Sequence, residues 1–331
     1  MKLIVNGTAL ARTSLGGRRY ANGVLQALDW PDRVEITRLP RFPKLERPLE
    51  LLHRSSGDAL FWSPSHRGPL FVRNHVFTVL DCINIEYVYR DDWRLPLYRR
   101  LFESIFSNAS AVVAISNATR DAILRNYSVD AAKLFVIPGP IDFRADPSAC
   151  KPLSEAKAAT EPPFVLMITN AMLHKNTERA CLAYAASSAV RRGVTLRVVG
   201  HAHEGALQKC RAAGASVEIR RGVSDAELDG WLRSCEFLLS PSLDEGLNLP
   251  IAEALSAGAS VVCSDIPVHR EFYDGQAIFF NPLELDDIVR ALDEAFDHVR
   301  SRALAEPIAR STFADVASQY RTLFMRLSNA A

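Results

Sequence analysis

A strand, a loop and a helix follow one another in the stretch that decides the fold of this chain. The stretch reads Leu238-Leu239-Ser240-Pro241-Ser242-Leu243-Asp244-Glu245-Gly246-Leu247-Asn248-Leu249-Pro250-Ile251-Ala252-Glu253-Ala254. The apolar run that ends at Leu239 is short enough for a buried parallel strand, and Pro250 suits the first turn of a helix, where its missing N–H costs nothing. The sequence therefore predicts a helix that begins near Asn248 to Pro250.

Two glutamates flank the predicted start of this helix. Glu245 lies in the loop, and Glu253 lies about one turn into the helix. The unpaired N–H groups and the positive dipole end of the helix face the space beyond the strand and attract an anion such as a diphosphate. Backbone donors between two carboxylate acceptors therefore predict a site for a sugar nucleotide.

Length and composition indicate a globular protein of two domains. The chain has 331 residues, of which 48% are hydrophobic, and this is enough to fill two cores. A net charge of +1 excludes strong electrostatic binding of nucleic acid. The charge is uneven, since residues 1–160 carry 22 Lys/Arg against 16 Asp/Glu and residues 161–331 carry 17 against 22. The first half thus favours an anionic acceptor or surface, although such an imbalance is also common in solvated faces.

Cysteine usage and hydropathy point to a cytoplasmic protein. The six cysteines form no C-x-x-C pair and most lie among apolar neighbours, so we expect reduced core thiols. The first apolar run is too short for a signal peptide, and no run approaches the ~20 apolar residues of a membrane span. Any membrane contact is therefore expected to be peripheral.

Short apolar runs alternate with amphipathic segments along the whole chain. The strands predicted for the second half are Phe164–Ile168, Leu196–Val199, Val217–Ile219, Phe237–Leu239, Ser260–Cys263 and Ile278–Phe280. Those predicted for the first half are Lys2–Asn6, Val34–Thr37, Ala59–Trp62, Val76–Leu80, Ala111–Ala114 and Lys133–Ile137. Strands that alternate with helices predict the α/β class, with two doubly wound, Rossmann-like domains.

The domain limits follow from composition. Residues 146–163 are rich in Pro, Ala, Ser and Lys without apolar periodicity, which is typical of a hinge or linker. The predicted units are an acceptor-side domain with linker over 1–160, a nucleotide-sugar-binding domain over 161–308, and a terminal segment over 309–331. In the last, an amphipathic helix from Phe313 to Phe324 is expected to cross back to the first domain.

The second half resembles the retaining glycosyltransferases of family 4, which have the GT-B architecture and build bacterial polysaccharides and lipopolysaccharide. The E-x7-E signature of that family corresponds to Glu245 and Glu253, and the run from Ala257 to Pro267 matches the strand and loop that follow it. The resemblance implies two Rossmann-like domains facing a cleft, with a GDP- or UDP-linked sugar as donor substrate, no further cofactor and no obligatory metal.

The resemblance also implies roles for donor-side residues. Glu245 meets hydroxyls of the donor sugar, Glu253 accepts from the ribose, and Lys175 stabilises the charge that develops on the leaving diphosphate. The amides that hold sugar and phosphate oxygens are those of Gly246, Leu247, Asn248 and Leu249. As alternatives, Glu245 is a solvated loop residue, Glu253 is a carboxylate favoured by the helix dipole, and Lys175 is an exposed lysine at a helix start.

Further donor-side candidates lie in two other loops. Asn170 stands where many relatives have Arg, and His174 is either a partial substitute for that charge or a local hydrogen-bonding residue. The resemblance places the nucleotide base near Gly222 and Val223. Ser224 is expected to cap the next helix on independent grounds.

Acceptor-side candidates lie in the first half. Gly16 and Gly17 are expected in a loop between the first strand and the first helix, where backbone approaches a ligand closely. Asp81 is a candidate base or hydroxyl ligand, or simply a turn residue at a strand end. Leu80 occupies the position of a histidine that contacts the donor sugar near C6 in relatives. This implies a donor without a C6 hydroxyl, such as a 6-deoxyhexose, unless His66 takes that place.

Aromatic and arginine side chains alternate between Tyr87 and Phe102. Such a segment suits an anionic membrane surface, and relatives glycosylate lipid-diphosphate carriers there. Alternatively, Leu97, Leu101 and Ile105 recur at helical spacing and belong to a core.

These patterns together predict transfer of a hexosyl unit of mannosyl or deoxyhexosyl type to a glycan or a lipid-linked glycan, with retention at the anomeric carbon. An epimerase or phosphorylase on the same frame, and a degenerate non-catalytic binding subunit, remain as alternatives. A dehydrogenase is disfavoured because no G-x-G-x-x-G follows a strand.

Overall fold

The computed structural model describes residues 2–32, 34–37, 46–54, 59–141, 162–298 and 311–330. The chain divides into two compact units, a first unit of Met1–Pro140 with Ser311–Ala331 and a second unit of Ile141–Arg310. The predicted boundaries near 160 and 308, and all but the last two residues of the predicted hinge, lie outside the described residues.

The first unit contains a parallel sheet of six strands in the order β2-β1-β3-β4-β5-β6. The strands are β1 Leu3–Val5, β2 Val34–Ile36, β3 Leu60–Ser63, β4 His75–Val79, β5 Ala111–Ala114 and β6 Leu134–Val136. Every residue of β1, β3, β4 and β5 is buried, as expected for parallel strands covered on both faces. The six strands predicted for this half are confirmed.

Three of the five helices described within residues 1–140 begin at a residue whose side chain caps them. The five helices are α1 Gly7–Ala11, α2 Leu15–Ala27, α3 Glu46–Leu51, α4 Leu95–Asn108 and α5 Asn117–Asn126, with a π-helical turn at Asn84–Val88 and a 3₁₀ turn at Ala131–Lys133. Asn6, Ser14 and Ser116 accept hydrogen bonds from backbone N–H groups in the first turns of α1, α2 and α5. Each cap satisfies donors that a helix start otherwise leaves unpaired.

The C-terminal helix α12 (Phe313–Ala330) belongs to the first unit and packs against α2. The buried hydroxyl of Tyr320 lies 3.1 Å from the hydroxyl of Tyr20 and 2.8 Å from that of Thr78 on β4. Nε1 of Trp62 on β3 donates to the same Thr78 hydroxyl at 3.1 Å. These bonds tie the end of the chain to one helix and two strands of the first unit.

The second unit contains another parallel sheet of six strands, in the order β12-β11-β10-β7-β8-β9. The strands are β7 Phe164–Thr169, β8 Thr195–Gly200, β9 Ser216–Arg220, β10 Leu238–Ser240, β11 Val261–Ser264 and β12 Ile278–Phe280. The six strands predicted for this half are confirmed as well. Both units therefore have the doubly wound α/β architecture that the sequence predicts.

Helices cover the second sheet and share its core. They are α6 Thr177–Ala186, α7 Glu204–Ala212, α8 Asp225–Ser234, α9 Leu249–Ser256, α10 Pro267–Tyr273 and α11 Leu285–His298, with a 3₁₀ turn at Leu173–Lys175. Helix α9 starts where predicted, with Pro250 in its first turn. Ser224 caps α8 as predicted, in a capping box with Glu227.

Five of the six cysteines are buried free thiols, as the sequence predicts, and Cys150 lies outside the described residues. None of the helices in the described part of the chain has the length and apolar content that a membrane crossing requires.

Candidate functional site

The second sheet has a topological switch point between β7 and β10. These strands are neighbours, but the chain continues from β7 outward to β8 and β9 on one side, and from β10 outward to β11 and β12 on the other. Loops that leave two such strands diverge, and a crevice opens beyond their carboxyl ends. Lys175 follows β7 and Glu245 follows β10, so both predicted residues belong to this crevice.

Lys175 and Glu245 form an ion pair at the switch point. Nζ of Lys175 lies 2.6 Å from Oε1 of Glu245, and the two side chains are only 17% and 11% exposed. The backbone N–H of Leu243 donates to the carbonyl oxygen of His174 at 2.7 Å and joins the two loops directly. The lysine is therefore not the exposed helix-start residue of the alternative interpretation, and the glutamate is not a solvated loop residue.

Glu245 is held as a carboxylate. Burial acts to raise its pKa, but the charge of Lys175 and the hydrogen bonds from Lys175 and Ser242 outweigh burial and hold the pKa below its ordinary value. The Ser242 hydroxyl donates to Oε1 at 2.7 Å, and Lys175 donates to that same oxygen. Among the described residues no hydrogen bond is formed to Oε2, which leaves this oxygen to accept from a ligand hydroxyl.

The start of α9 has an unusual cap. Asn248 precedes the helix in the left-handed conformation, with φ 63° and ψ 63°, and its side chain makes no capping hydrogen bond. An asparagine at this position ordinarily accepts from the first-turn N–H groups. Pro250 has no N–H, and the N–H of Ile251 donates to the carbonyl oxygen of Asn248 at 3.0 Å. Because the Asn248 side chain points elsewhere, the N–H of Leu249 is the first-turn donor that suits an anion or a hydroxyl oxygen at the crevice.

Other predicted residues surround this helix start. Gly246 and Leu247 are buried in the loop, and the carbonyl of Leu247 accepts from the Tyr273 hydroxyl at 2.8 Å. Glu253 is half-buried in the second turn of α9. Residues 246–249 therefore lie between the two glutamates, at the end of the loop and the start of α9.

The side chain of Asn176 fixes the turn that carries Lys175. Asn176 follows it in the left-handed conformation, with φ 51°. Its Nδ2 donates to the carbonyl of Pro282 at 2.8 Å, and its Oδ1 accepts from Arg179 at 2.7 Å. These bonds fix the backbone on the C-terminal side of the lysine. The sequence analysis assigned no role to either residue.

The remaining donor-side candidates lie on the loops after β7 and β9. Asn170 is exposed, and its Oδ1 accepts from the Met172 N–H at 3.0 Å, which closes a turn directly after β7. His174 is 4% exposed, within the 3₁₀ turn. Gly222 has φ 65° with open space where a Cβ would lie, and Val223 beside it is half-buried. The described contacts bring Lys175, His174 and the β10 loop together but do not join Gly222 or Val223 to them.

In the first unit, Asp81 lies just beyond the end of β4. Its Oδ1 accepts from the Ile83 N–H at 3.0 Å. Nε2 of His66 lies 2.7 Å from the carbonyl oxygen of Asp81 and 3.8 Å from its Oδ1. Leu80 is only 6% exposed. The imidazole next to Asp81 therefore comes from His66, and the Leu80 side chain packs inside the unit.

The predicted position of Gly16 and Gly17 is wrong. They lie in the first turn of α2, after α1, and not in a loop between the first strand and the first helix. The reason is that Asn6 caps a short helix directly after β1, which the glycine pair gave no means of predicting. A Cβ on Gly17 would lie 2.3 Å from Oγ1 of Thr13 and 2.8 Å from Cδ1 of Leu80, so packing within the unit requires this glycine.

Several polar groups that hold the crevice in shape were not predicted from the sequence. These are Ser242, His269 and Tyr273, together with the pair Asn176 and Arg179. Ser242 stood in the quoted stretch three residues before Glu245, and this spacing was the one local signal. The described part of the chain contains no group of three or more His, Cys, Asp or Glu side chains placed to hold a metal ion.

Two doubly wound parallel sheets in one chain are the architecture of the GT-B class of glycosyltransferases. Family comparison agrees: residues 163–298 match the model for glycosyl transferases of group 1, and residues 26–144 match the model for glycosyltransferase family 4. The chain therefore contains a glycosyltransferase family 4 domain in its first half and a group 1 glycosyl transferase domain in its second half.

Individual relatives narrow the comparison. The chain is 27% identical over 221 residues to the MMP alpha-(1->4)-mannosyltransferase of Mycolicibacterium hassiacum, covering 63% of this chain and 52% of that protein. It is 33% identical over 134 residues to the GDP-mannose:cellobiosyl-diphosphopolyprenol alpha-mannosyltransferase of Komagataeibacter xylinus, covering 37% of this chain and 34% of that protein. The chain thus spans about half the length of the first relative and a third of the second.

A solved structure confirms the fold. The sucrose-phosphate synthase of Thermosynechococcus elongatus superimposes with a TM-score of 0.71 at 15% identity, over 100% of both chains. At that identity the likeness speaks for the GT-B fold alone.

Proposed function

We propose that this chain transfers a hexosyl unit from a nucleotide-diphosphate sugar to a hydroxyl group of a glycan or a lipid-linked glycan, with retention at the anomeric carbon. The observation that carries the proposal is the Lys175–Glu245 ion pair at the switch point, beside the start of α9, where the Asn248 side chain makes no capping hydrogen bond. A cation, a carboxylate and backbone donors in one crevice are what a diphosphate linked to a polyhydroxyl ring needs.

Each group has a role in the proposed reaction. Oε2 of Glu245 accepts from a hydroxyl of the donor sugar, since Oε1 is already bonded by Lys175 and Ser242. The ammonium of Lys175 compensates the negative charge that grows on the diphosphate as the glycosidic bond breaks. The backbone amides from Gly246 to Leu249 hold sugar and phosphate oxygens, and Glu253 accepts from the ribose.

The remaining donor-side residues complete the proposed site. Asn170 and His174 flank the diphosphate, and Gly222 with Val223 contacts the nucleotide base. Because a lysine and a helix N-terminus both stabilise a leaving phosphate, we propose that the reaction requires no metal ion.

The donor sugar is proposed to be mannose, linked to GDP or UDP. Both relatives described above are named mannosyltransferases, and one is named for GDP-mannose. A 6-deoxyhexose was predicted because Leu80 replaces a histidine. Since Leu80 packs inside the first unit and His66 lies beside Asp81, an imidazole remains available there, and this favours the mannosyl donor.

Asp81 and the start of α2 with Gly16 and Gly17 are proposed to bind the acceptor.

A second feature of the first unit supports peripheral contact with an anionic membrane. Trp93 is 84% exposed and Leu97 is 66% exposed, and Arg90, Arg99 and Arg100 near them are exposed as well. Large apolar side chains among arginines suit the headgroup region of a bilayer. Leu97 therefore lies outside the core, while Ile105 on the same helix is buried. We propose that the enzyme works at the cytoplasmic face of a membrane.

Thermal unfolding with a panel of nucleotide-diphosphate sugars tests the proposal, because a ligand that binds the native state raises the Tm. The sugar nucleotide that raises the Tm is then incubated with the protein and a lipid-diphosphate-linked glycan. We expect a glycan longer by one hexose with the α configuration of its donor. Isomerised donor without any acceptor would support the epimerase, and binding without any reaction would support a non-catalytic subunit.

A further inference from the structure

His269 is a buried histidine that contacts the residue directly before α9. It is fully buried in the short helix α10, which follows β11. Its Nδ1 lies 2.8 Å from the carbonyl oxygen of Ser264, and its Nε2 lies 2.8 Å from Nδ2 of Asn248. The histidine thus connects the end of β11 to the residue that begins α9.

The partners determine which ring nitrogen carries the proton. A carbonyl oxygen only accepts, so Nδ1 of His269 carries the hydrogen and donates it to Ser264. Nε2 of the neutral ring therefore presents a lone pair, and the Asn248 amide group donates to it. Burial lowers the pKa of His269 to about 4, so the ring is neutral at physiological pH. Only this tautomer lets the His269 ring form hydrogen bonds with both the Ser264 carbonyl oxygen and the Asn248 amide group.

Asn248 is held on several sides. Its Nδ2 also donates to the Ser240 hydroxyl at the end of β10, at 2.8 Å. The Tyr273 hydroxyl, one turn after His269 on α10, lies 2.8 Å from the carbonyl oxygen of Leu247 and 3.2 Å from that of Asn248. These bonds hold a left-handed backbone that a non-glycine residue adopts only at a cost. They also turn the side chain away from the first-turn amides of α9.

We propose that His269 is a positioning residue for donor binding: through Asn248 it sets the direction of the backbone amides that open α9. The inference rests on the proposed function, because those amides matter only if a sugar nucleotide occupies the crevice. With the acceptor at Nε2 removed, the Asn248 side chain loses one of its anchors. The left-handed backbone that directs the N–H groups of Asn248 and Leu249 is then no longer held in a single orientation.

Two substitutions at His269 separate the two hydrogen bonds. In His269→Gln the longer amide places an oxygen near the position of Nε2 and still accepts from Asn248. In His269→Asn the shorter amide reaches only toward Ser264, and Asn248 loses its acceptor. His203→Asn is the matched control, because His203 is exposed and makes no capping hydrogen bond at the start of α7.

Steady-state kinetics and nucleotide titration of the full chain provide the readout. We expect His269→Asn to raise the donor KM and the Kd of the product nucleoside diphosphate by on the order of tenfold to a hundredfold, with the acceptor KM unchanged. His269→Gln should stay within a few-fold of wild type. A merely structural role would lower the folded fraction, and hence the apparent kcat, while the donor KM stayed at its wild-type value.

Asn248→Gly provides the second arm, since glycine adopts the left-handed conformation without a side chain. It should raise the donor KM as His269→Asn does, and adding His269→Asn to it should change the KM no further. A wild-type donor KM in either folded single variant, or full additivity in the double variant, overturns the inference while the proposed function stands. A wild-type chain that neither binds nor transfers any sugar nucleotide overturns both.

Discussion

Lys175 donates from Nζ to Oε1 of Glu245 over 2.6 Å, although the two residues stand 70 positions apart in the chain. Both side chains are largely buried, so each stabilises the charge of the other at the point where the loops after β7 and β10 meet. Removing one partner leaves a buried charge without its counter-ion. Substitutions at this pair should therefore affect the proposed reaction more than they would at an exposed ion pair.

Lys175→Ala should slow transfer by on the order of 10²–10³, because the charge on the departing diphosphate loses its cation. Donor binding should weaken less than kcat, since the charge grows as the bond breaks. Single-turnover kinetics at saturating donor measure the step. Lys209→Ala is the control, because Lys209 pairs with Glu178 at the surface and should leave the rate unchanged. Equal rates for wild type and Lys175→Ala would remove the lysine from the proposed mechanism.

Glu253→Ala should weaken binding of the nucleoside diphosphate roughly tenfold, or about 1.4 kcal/mol, through loss of a hydrogen bond to the ribose. Isothermal titration measures the Kd. Glu204→Ala is the matched control, because Glu204 is an exposed carboxylate in the first turn of α7 and also interacts with a helix dipole. If both variants change only the Tm, and by similar amounts, Glu253 interacts with the helix dipole and does not bind the ribose.

Stability should fall as the pH drops from about 6.5 toward 4. Burial lowers the pKa of His269 to about 4 and that of His75 to about 3, against 6.5 in the unfolded chain. Across this window the two histidines bind protons in the unfolded chain but not in the native state. The free energy of unfolding therefore decreases as the pH decreases. The His269 contribution approaches roughly 3 kcal/mol at the acid end. Urea unfolding at several pH values measures it.

The same experiment on His269→Gln supplies the comparison. Glutamine does not titrate, so the pH dependence should be flatter than in wild type by about the His269 contribution, while that of His75 remains. An identical slope for the two proteins would show that His269 is protonated as easily in the native state as in the unfolded chain.

Gly23→Ala should destabilise the first unit by roughly 1–3 kcal/mol. A Cβ at this position in α2 would lie 2.3 Å from Cε1 of Phe313, so the first residue of α12 would have to shift. Chemical denaturation measures the change. Gly230→Ala in α8 is the control, because nothing lies within 4 Å of its Cβ, and alanine there should be neutral or stabilising by up to about 1 kcal/mol. The reverse order of stabilities would contradict the close packing of α2 on α12.

Replacing Trp93 and Leu97 together by Ser should reduce binding to vesicles of anionic phospholipid roughly tenfold, since two apolar side chains no longer enter the interface. Vesicle co-sedimentation measures the bound fraction, with zwitterionic vesicles as reference. Leu283→Ser serves as control because Leu283 is 61% exposed in the second unit. Wild-type binding by the double variant would exclude this surface from membrane contact.

The sequence alone determined the positions of the strands, the fold class and the start of α9. All twelve strands lie where apolar runs predict them. For buried strands such as β4 and β10, the reason is that a strand covered on both faces has to be a short continuous apolar segment. The start of α9 and the cap at Ser224 were also predictable, since Pro250 and the Ser224–Glu227 box act within a single turn.

Only the tertiary structure decided how the candidate site is held together. The bond between Lys175 and Glu245, the bond from Asn248 to His269, and the contact of His66 with Asp81 all join loops that leave different strands. Residue types and local spacing do not determine which loops are neighbours, because this depends on the order of the strands in the sheet. The strand order 12-11-10-7-8-9 places the loops after β7 and β10 side by side, and this adjacency turns a lysine and a glutamate 70 residues apart into one site.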